Sequence, residues 1–272
     1  MSIVFTKMSG SGNDFIIIDN RKSVIENSAK QDFVCQVCIP KLSVGADGVI
    51  FVENSETADF KWDFYNADGS SAEMCGNGAR CVAKYAYVRG IAPEQMSFET
   101  AAGVITAEIK ENCVRIKLTP PESLQRNLDI NLDGKVFKVD SLNIGVPHAI
   151  IYSDDVANED VSRIGRGIRL HPIFSPSGTN VDFVQKQGEN ELLVRTYERG
   201  VEEETLACGT GVVASALLAN QANLVKPPVR VQTHGGEVLT VDFEKIHGDV
   251  EFKEVFLEGS AKIVFEGTIV EI

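Results

Sequence analysis

The sequence predicts a mixed α+β fold built from two duplicated, pseudo-symmetric halves, and two observations support this prediction. Short runs of β-branched and aromatic residues are spread along all 272 residues, whereas only three segments have the pattern of an α-helix. Several motifs also occur twice, always at the same separation along the chain. Many strands with a few isolated helices favour an α+β arrangement over an alternating βαβ one.

The expected strands are the runs richest in Val, Ile, Phe and Tyr, and they are residues 3–5, 15–18, 49–52, 114–118, 136–139, 192–197, 229–232 and 238–243. We expect a first helix at 28–39, which stops before Pro40, and a second at 76–89, which Gly90 terminates. A third is expected from 209 to about 222. The second and third helices each begin directly after the cysteine of a Cys-Gly-x-Gly motif.

The duplication is clearest at these two cysteine motifs. The segment CGNGARCVAKYA from Cys75 aligns with CGTGVVASALLA from Cys208, at a separation of 208 − 75 = 133 residues. The segment GNDFIIID aligns with GVPHAIIY, and GADGVIFV aligns with GTNVDFV, at the same separation. Three landmarks with one separation indicate two copies of one structural unit.

A linker divides the two copies. The Thr-Pro-Pro-Glu segment at 119–122 interrupts the strand pattern, so we expect a first half at residues 1–119 and a second half at 120–260. The last segment, 261–272, is expected to return to the first half as a strand.

Composition limits the partners. The chain has 26 Lys and Arg against 39 Asp and Glu, a net charge of −13, and no basic run that could follow a phosphate backbone. We therefore expect a small-molecule substrate and no nucleic acid. Because a negative field repels anions, an anionic substrate needs hydrogen-bond donors placed locally in the site.

The N-terminal residues MSIVFTKMSGSGNDF lack the features of a secretion signal, and no apolar run reaches the roughly 18 residues that span a bilayer. We therefore expect a cytoplasmic protein without a membrane segment. The six cysteines are then expected to be free thiols.

The paired Cys-Gly-x-Gly motifs predict acid–base chemistry. A cysteine that opens a helix lies beside free backbone N–H groups, so we expect the pKa of the thiol to be lowered in both copies. Two such thiols facing each other across a cleft could remove a proton from one face of a carbon and deliver one to the other. The N–H groups that open the two helices could bind the substrate carboxylate, so we expect no metal and no cofactor.

With these motifs the chain resembles the diaminopimelate epimerase family, which interconverts LL- and meso-diaminopimelate in lysine and cell-wall synthesis. The resemblance covers essentially the whole chain. It is carried by GSGNDF at 10–15, GADG at 45–48, FYNADGS at 64–70, MCGNGARC at 74–81, GVPH at 145–148, TNVDF at 179–183 and ERGVEEETLACGTG at 198–211.

The resemblance implies two similar domains, each with a mixed sheet curled around a central helix, and a reaction that needs no cofactor. It implies that Cys75 and Cys208 are the catalytic acid and base. It implies substrate-binding roles for Asn13, Asn66, Gly76, Asn77, Asn180, Glu198, Arg199, Gly209 and Thr210, and a supporting role for His148. Family members are often homodimers, so a homodimer is expected.

The chain departs from the family pattern at two positions. Many members have Asn where this chain has Val146, so one side-chain amide that contacts substrate is absent. Some members have Gln where this chain has Gly48. Neither change affects the two cysteines.

Other interpretations stay open at the level of sequence. A proline or hydroxyproline racemase-type enzyme would use the same two-thiol chemistry, although those relatives usually carry His at the position of Asn77. A non-catalytic scaffold that binds an amino acid or a protein would keep the fold. The Cys35-x-x-Cys38 pair resembles half of a zinc site, but no second pair or close His follows it, and a structural role is expected.

Overall fold

The computed structural model describes residues 2–111, 113–245 and 252–271. Up to residue 117 its elements are β1 (Ile3–Gly10), β2 (Asn13–Asp19), α1 (Lys30–Val37), β3 (Gly48–Glu53), β4 (Phe60–Asn66), α2 (Gly76–Val88), β5 (Gln95–Thr100), β6 (Gly103–Lys110) and β7 (Cys113–Lys117). There follow β8 (Glu122–Leu132), β9 (Lys135–Asn143), β10 (Pro147–Tyr152), α3 (Val161–Arg169), β11 (Asn180–Lys186), β12 (Glu191–Glu198), β13 (Glu203–Thr205) and α4 (Gly209–Gln221). The last strands are β14 (Val229–Thr233), β15 (Val238–Lys245), β16 (Phe252–Ser260) and β17 (Lys262–Ile269).

The chain divides into two compact units, and the first consists of Met1–Lys117 and Gly259–Ile272. Its strands pair in the order β17, β1, β2, β3, β4, β5, β6 and β7. The pairs β2–β3 and β4–β5 are parallel, and the others are antiparallel. Helix α2 contacts β1, β2, β3, β6 and β7, so it is the central helix of this unit.

The second unit consists of Leu118–Glu258. Its strands pair in the order β8, β9, β10, β11 and β12, after which β12 pairs with both β13 and β14, and β15 and β16 follow β14. The parallel pairs are β10–β11 and β12–β14. Helix α4 contacts β9, β10, β11, β12, β14 and β15 from inside the unit.

The two units confirm the predicted α+β duplication. Helices α2 and α4 are both 13 residues long and begin 133 residues apart, at Gly76 and Gly209. Each helix is surrounded by a mixed sheet whose parallel and antiparallel pairs follow in the same order. In α4 every residue from 211 to 219 is buried, because a helix enclosed by a sheet has no face left for water.

A second helix covers the outer face of each sheet. In the first unit Phe33 and Val34 of α1 pack in one cluster with Ile16 and Ile18 of β2. In the second unit the cluster contains Ile164 and Ile168 of α3 and the equivalent strand positions, 149 and 151. Because side chains alternate along a strand, the intervening residues face the central helix, and both faces of the sheet are apolar.

Helix α3 is not predicted from the sequence. Its nine residues include Gly165 and Gly167, and glycine lowers the helix propensity by about 1 kcal/mol relative to alanine. The structure explains Gly165, since a Cβ there would lie 2.5 Å from the Cβ of Tyr197. Close packing of α3 on β12 requires glycine at position 165, although glycine disfavours a helix.

Candidate active site

Cys75 and Cys208 occupy the same position in the two units. Each is the N-cap residue of the central helix and has an extended backbone, with φ −145° and ψ 117° at Cys75 and φ −117° and ψ 111° at Cys208. The sulfur of Cys75 accepts a hydrogen bond from the backbone N–H of Gly78 at 3.5 Å. The sulfur of Cys208 instead lies 3.5 Å from Oγ1 of Thr210. Cys75 is half-buried and Cys208 is buried.

The polar side chains around the start of α2 form one hydrogen-bonded group. The amide of Asn77 donates to Oδ1 of Asn13 at 2.8 Å, and the amide of Asn13 donates to Oδ2 of Asp47 at 2.9 Å. The guanidinium of Arg80 is fully buried and donates to Oδ1 of Asn77 at 2.9 Å and to the hydroxyl of Ser11. The structure therefore places a positive charge one turn into α2, which offsets the net negative charge of the chain locally.

Asn66 lies beside this group, because it pairs with Gly48 in the sheet and the backbone N–H of Ala67 donates to the carbonyl of Asp47 at 3.0 Å. It is exposed at the end of β4, and its amide donates to the hydroxyl of Ser70 at 3.0 Å in the turn that follows the strand.

A second polar group surrounds the start of α4. Nδ1 of His148 lies 2.7 Å from Oδ2 of Asp182, and Nε2 lies 2.9 Å from Oγ1 of Thr210. The hydroxyl of Thr196 donates to Oδ1 of Asp182 at 2.7 Å. His148 and Asp182 are both 0% exposed, so their polar atoms depend on each other and on their protein neighbours for hydrogen bonds.

Asn180 and Arg199 extend this second group. The backbone N–H of Arg199 donates to Oδ1 of Asn180 at 2.8 Å, and Nδ2 of Asn180 lies 3.4 Å from Nε2 of His148. The Arg199 guanidinium donates to the carbonyl of Ser177 at 3.2 Å. Burial raises the pKa of the neighbouring Glu198 carboxyl above its ordinary value.

The expectation that a helix N-terminus lowers the pKa of both thiols is wrong for Cys208. Burial raises the pKa of the Cys208 thiol well above its ordinary value, and the carboxylates of Glu198 and Asp182 act in the same direction. At Cys208 the free-energy cost of removing a thiolate from water exceeds the stabilisation that the first turn of α4 provides. At neutral pH Cys208 is therefore a thiol, which is the form that donates a proton.

The two departures from the family pattern have different surroundings. A Cβ on Gly48 would lie 2.6 Å from the carbonyl oxygen of Tyr65 and 2.7 Å from the Phe64 ring, so this chain has no room for a longer side chain there. Val146 is half-buried, and its carbonyl accepts a hydrogen bond from the N–H of Ile144 at 3.1 Å.

The Cys35-x-x-Cys38 pair lies among packed protein groups. The sulfur of Cys35 donates to the carbonyl of Asp68 at 3.2 Å, while Cys38 is buried and burial raises the pKa of its thiol to about 12. Over residues 2–111, 113–245 and 252–271 no three His, Cys, Asp or Glu side chains gather as a metal site would require. In the same residues no helix is long and apolar enough to cross a membrane.

Three charged residues at these sites are not among the site residues predicted from the sequence. Asp47, Arg80 and Asp182 all fall inside quoted motifs, GADG, MCGNGARC and TNVDF. Asp182 could have been found, because a carboxylate between Val181 and Phe183 in an apolar strand must be buried and must have partners. The two polar groups belong to different units, and the expectation that the two thiols face each other stays a prediction.

Solved structures with this fold identify its class. The chain superposes on a Bacillus anthracis phenazine biosynthesis protein of the PhzF family with a TM-score of 0.77, at 15% identity and 100% coverage of both chains. A probable proline racemase from Agrobacterium radiobacter K84 gives a TM-score of 0.72 at 15% identity, with 99% of this chain and 93% of that chain covered. The protein therefore has the duplicated α+β fold that these two groups share.

The sequence comparisons identify the family within that class. The family model for diaminopimelate epimerase matches residues 5–123 and 141–264. The diaminopimelate epimerase of Aquifex aeolicus strain VF5 is 48% identical over 278 residues, which cover 98% of each chain. That of Chlorobaculum tepidum is 40% identical over 266 residues, or 96% of this chain and 99% of the relative. The chain belongs to the diaminopimelate epimerase family.

Proposed function

We propose that Cys75 and Cys208 are the acid and base with which this chain interconverts LL- and meso-diaminopimelate. The protein is an isomerase of amino-acid metabolism, and the reaction belongs to lysine biosynthesis. The observation that carries the residue assignment is the equivalence of the two thiols, each at the N-cap of the central helix of its unit.

The proposed reaction needs no net supply of protons or electrons. The thiolate of one cysteine removes the α-proton, and the C–H electron pair is delocalised into the neighbouring carboxylate. The thiol of the other cysteine then protonates the opposite face, so the two sulfurs exchange their protonation states. Because the raised pKa keeps Cys208 protonated, we assign Cys208 as the acid in the direction that starts from the resting enzyme. The two-thiol mechanism then requires Cys75 to be the base.

The reacting carboxylate binds at the two helix N-termini in this proposal. The first-turn N–H groups of Gly76 and Asn77, and those of Gly209 and Thr210, have no partner within their own helices. Such groups stabilise an anion, and they stabilise it more as negative charge builds up during deprotonation.

The distal end of the substrate carries an ammonium and a carboxylate. Arg199 is the proposed partner of the distal carboxylate, because its planar guanidinium can donate two parallel hydrogen bonds. In this proposal Glu198 accepts from the ammonium, and the amides of Asn13, Asn66 and Asn180 supply both donors and acceptors. His148 supports the site through its contact with Thr210.

Three expectations from the sequence stay predictions. The reaction is expected to proceed without a cofactor, which dialysis against chelator before the assay checks. A homodimer is expected, and the exposed apolar residues Val4, Val264 and Phe265 on β1 and β17 support it; light scattering would show twice the mass of the chain. A cytoplasmic location is checked by cell fractionation.

Proton NMR in D₂O tests the proposal directly. The enzyme is mixed with LL-diaminopimelate, and the loss of the α-proton signal and the formation of the meso isomer are followed. Cys75→Ala and Cys208→Ala should each abolish epimerisation, because each removes a proton carrier on one face. Cys35→Ala is the matched control, since this thiol lies in the first unit away from the N-cap of α2, and it should keep wild-type turnover.

Two outcomes would contradict the proposal. Formation of meso-diaminopimelate at the wild-type rate by either N-cap variant would remove the two-thiol mechanism. If the reduced wild-type protein does not turn over diaminopimelate but does turn over proline, the proposed substrate is wrong and proline takes its place.

A further inference from the structure

A continuous chain of polar groups, buried except for the half-buried Thr210, leads from strand β12 to the sulfur of Cys208. The hydroxyl of Thr196 binds one oxygen of Asp182, and the other oxygen of Asp182 binds Nδ1 of His148. Nε2 of His148 lies beside the hydroxyl of Thr210, which in turn contacts the sulfur of Cys208. The chain links residues of three strands and one helix, all within the second unit.

The hydrogen bonds of Asn180 indicate which nitrogen of His148 carries the proton. The backbone N–H of Arg199 can only donate, so the atom of Asn180 that it contacts at 2.8 Å is the amide oxygen. The amide nitrogen then faces the carbonyl of Pro147 and Nε2 of His148, each at 3.4 Å. Because that nitrogen donates, Nε2 is an acceptor, and the proton lies on Nδ1, directed at Asp182.

This tautomer sets the direction of the Thr210 hydroxyl. A hydroxyl has one hydrogen to donate, and Nε2 of His148 at 2.9 Å is an acceptor for it. The oxygen of Thr210 is then left as an acceptor for the S–H of Cys208. Once Cys208 has given up its proton, the hydroxyl can rotate and donate to the thiolate instead.

Both side-chain oxygens of Asp182 have hydrogen-bond partners. A Cβ on Gly211 would lie 2.2 Å from Oδ1 of Asp182, so this oxygen rests on the first turn of α4, where helix dipoles stabilise a negative charge. Donation from Thr196 and from His148 offsets the cost of burying the charge. An amide at this position could accept on one atom only, and it would not define the tautomer of His148.

We propose that Asp182 is a positioning residue for proton transfer at Cys208. It holds His148 in the Nδ1–H tautomer, and this tautomer directs the Thr210 hydroxyl so that the resting Cys208 thiol donates to it. The inference rests on the proposed role of Cys208 as an acid and base. The carboxylates of Glu198 and Asp182 both raise the pKa of the Cys208 thiol. The pH profile of kcat therefore responds to both of them as well.

The first measurement needs no variant. Long-range ¹H–¹⁵N correlation spectra of ¹⁵N-His-labelled protein at pH 7 separate protonated from unprotonated ring nitrogens, and the chain has only four histidines to assign. We expect the proton of the His148 ring to lie on Nδ1, with Nε2 as an acceptor. A protonated Nε2 in the resting enzyme would overturn the proposal, whatever the activity of the protein.

The second measurement compares Asp182→Asn with Asp140→Asn, a control that removes another buried carboxylate of the second unit. Asp182→Asn should lower kcat by about 10- to 100-fold, which is less than the ~10²- to 10⁴-fold of the acid–base step itself. KM should change little, and the high-pH limb of the kcat profile should shift. The ring spectrum should show Nε2 protonated in part of the molecules, whereas Asp140→Asn should leave kcat, its pH profile and the spectrum unchanged.

The outcomes separate this inference from the proposed function. Wild-type kcat and pH profile in folded Asp182→Asn would overturn the positioning role and leave the two-thiol mechanism intact. Wild-type epimerisation by Cys208→Ala would overturn the mechanism itself. If Asp182→Asn does not fold, the wild-type ring spectrum still decides the tautomer.

Discussion

Gly78 and Gly211 are the third residues of helices α2 and α4, and we expect alanine to have different effects at these two equivalent positions. A Cβ on Gly211 would lie 2.2 Å from Oδ1 of Asp182 and 3.2 Å from Oγ1 of Thr196. A Cβ on Gly78 would meet Cδ1 of Ile50 at 3.3 Å, which is the end of a flexible side chain. The same substitution is therefore a clash with a buried carboxylate in one unit, whereas in the other it is a tight contact that a small shift of the Ile50 side chain relieves.

The expected free energies follow from these distances. In both helices alanine gains about 1 kcal/mol of helix propensity over glycine. At Gly211 the overpacking costs about 1–3 kcal/mol, and displacing Asp182 weakens a hydrogen bond to a charged group that contributes about 1.5–3 kcal/mol. Gly211→Ala should therefore lower the free energy of unfolding by about 2–4 kcal/mol, whereas Gly78→Ala should change it by less than about 1 kcal/mol.

Urea unfolding followed by far-UV circular dichroism measures the difference. With an m-value of about 2–3 kcal/mol/M, Gly211→Ala should lower the midpoint by about 1 M. The chain has one tryptophan, Trp62, whose ring would lie 3.5 Å from the new Cβ at position 78, so its fluorescence checks that Gly78→Ala leaves the first unit packed. Equal midpoints for the two variants would refute the placement of Asp182 against helix α4.

Three further predictions concern stability and binding. Burial raises the pKa of the Cys208 thiol, so the folded protein loses stability as the pH rises above about 8.5, and Cys208→Ser should lose less over pH 8–10.5 in urea titrations. The Lys30 side chain is 1% exposed and contacts Glu53 and Asp63 at 2.6 and 2.7 Å. Lys30→Met removes this cation from both carboxylates and leaves Asp63 with Lys61, 3.6 Å away, so it should cost about 2–4 kcal/mol in the same titrations. If Arg199 binds the distal carboxylate, Arg199→Met should lower kcat/KM by about 10- to 100-fold, mainly through KM, in steady-state assays.

Each of these predictions has a control in the same chain. Cys35→Ser removes a thiol away from the buried carboxylates and should follow the wild-type pH dependence; a parallel curve for the Cys208 variant would contradict the first prediction. Lys61→Met removes a cation that is 45% exposed and should change the free energy of unfolding by less than about 0.5 kcal/mol. Arg166→Met, on the exposed face of α3, should keep the wild-type KM.

Local sequence patterns were sufficient for much of the fold. Helices α2 and α4 begin at the residues that the two Cys-Gly-x-Gly motifs predict, because capping and glycine placement act within a few residues of the helix start. The run 49–52 lies within β3, because a strand covered on both faces is a continuous apolar run. The run 192–197 lies within β12, because its β-branched and aromatic residues favour a strand. Helix α3 is not predicted from the sequence, since Gly165 is required by its contact with Tyr197 and Gly167 lies close to Leu132, and neither is favoured by helix propensity.

At the candidate site the duplication, the two N-cap cysteines and the family follow from motifs along the chain. The protonation of Cys208 depends instead on contacts that form only when the chain folds. The raised pKa of the Cys208 thiol depends on burial and on Glu198 and Asp182, and the hydrogen bonds of His148 depend on strands far apart in sequence. Desolvation and charge–charge interactions depend on distances in space, so a linear motif that predicts a lowered thiol pKa from its helix start does not contain the opposing carboxylates.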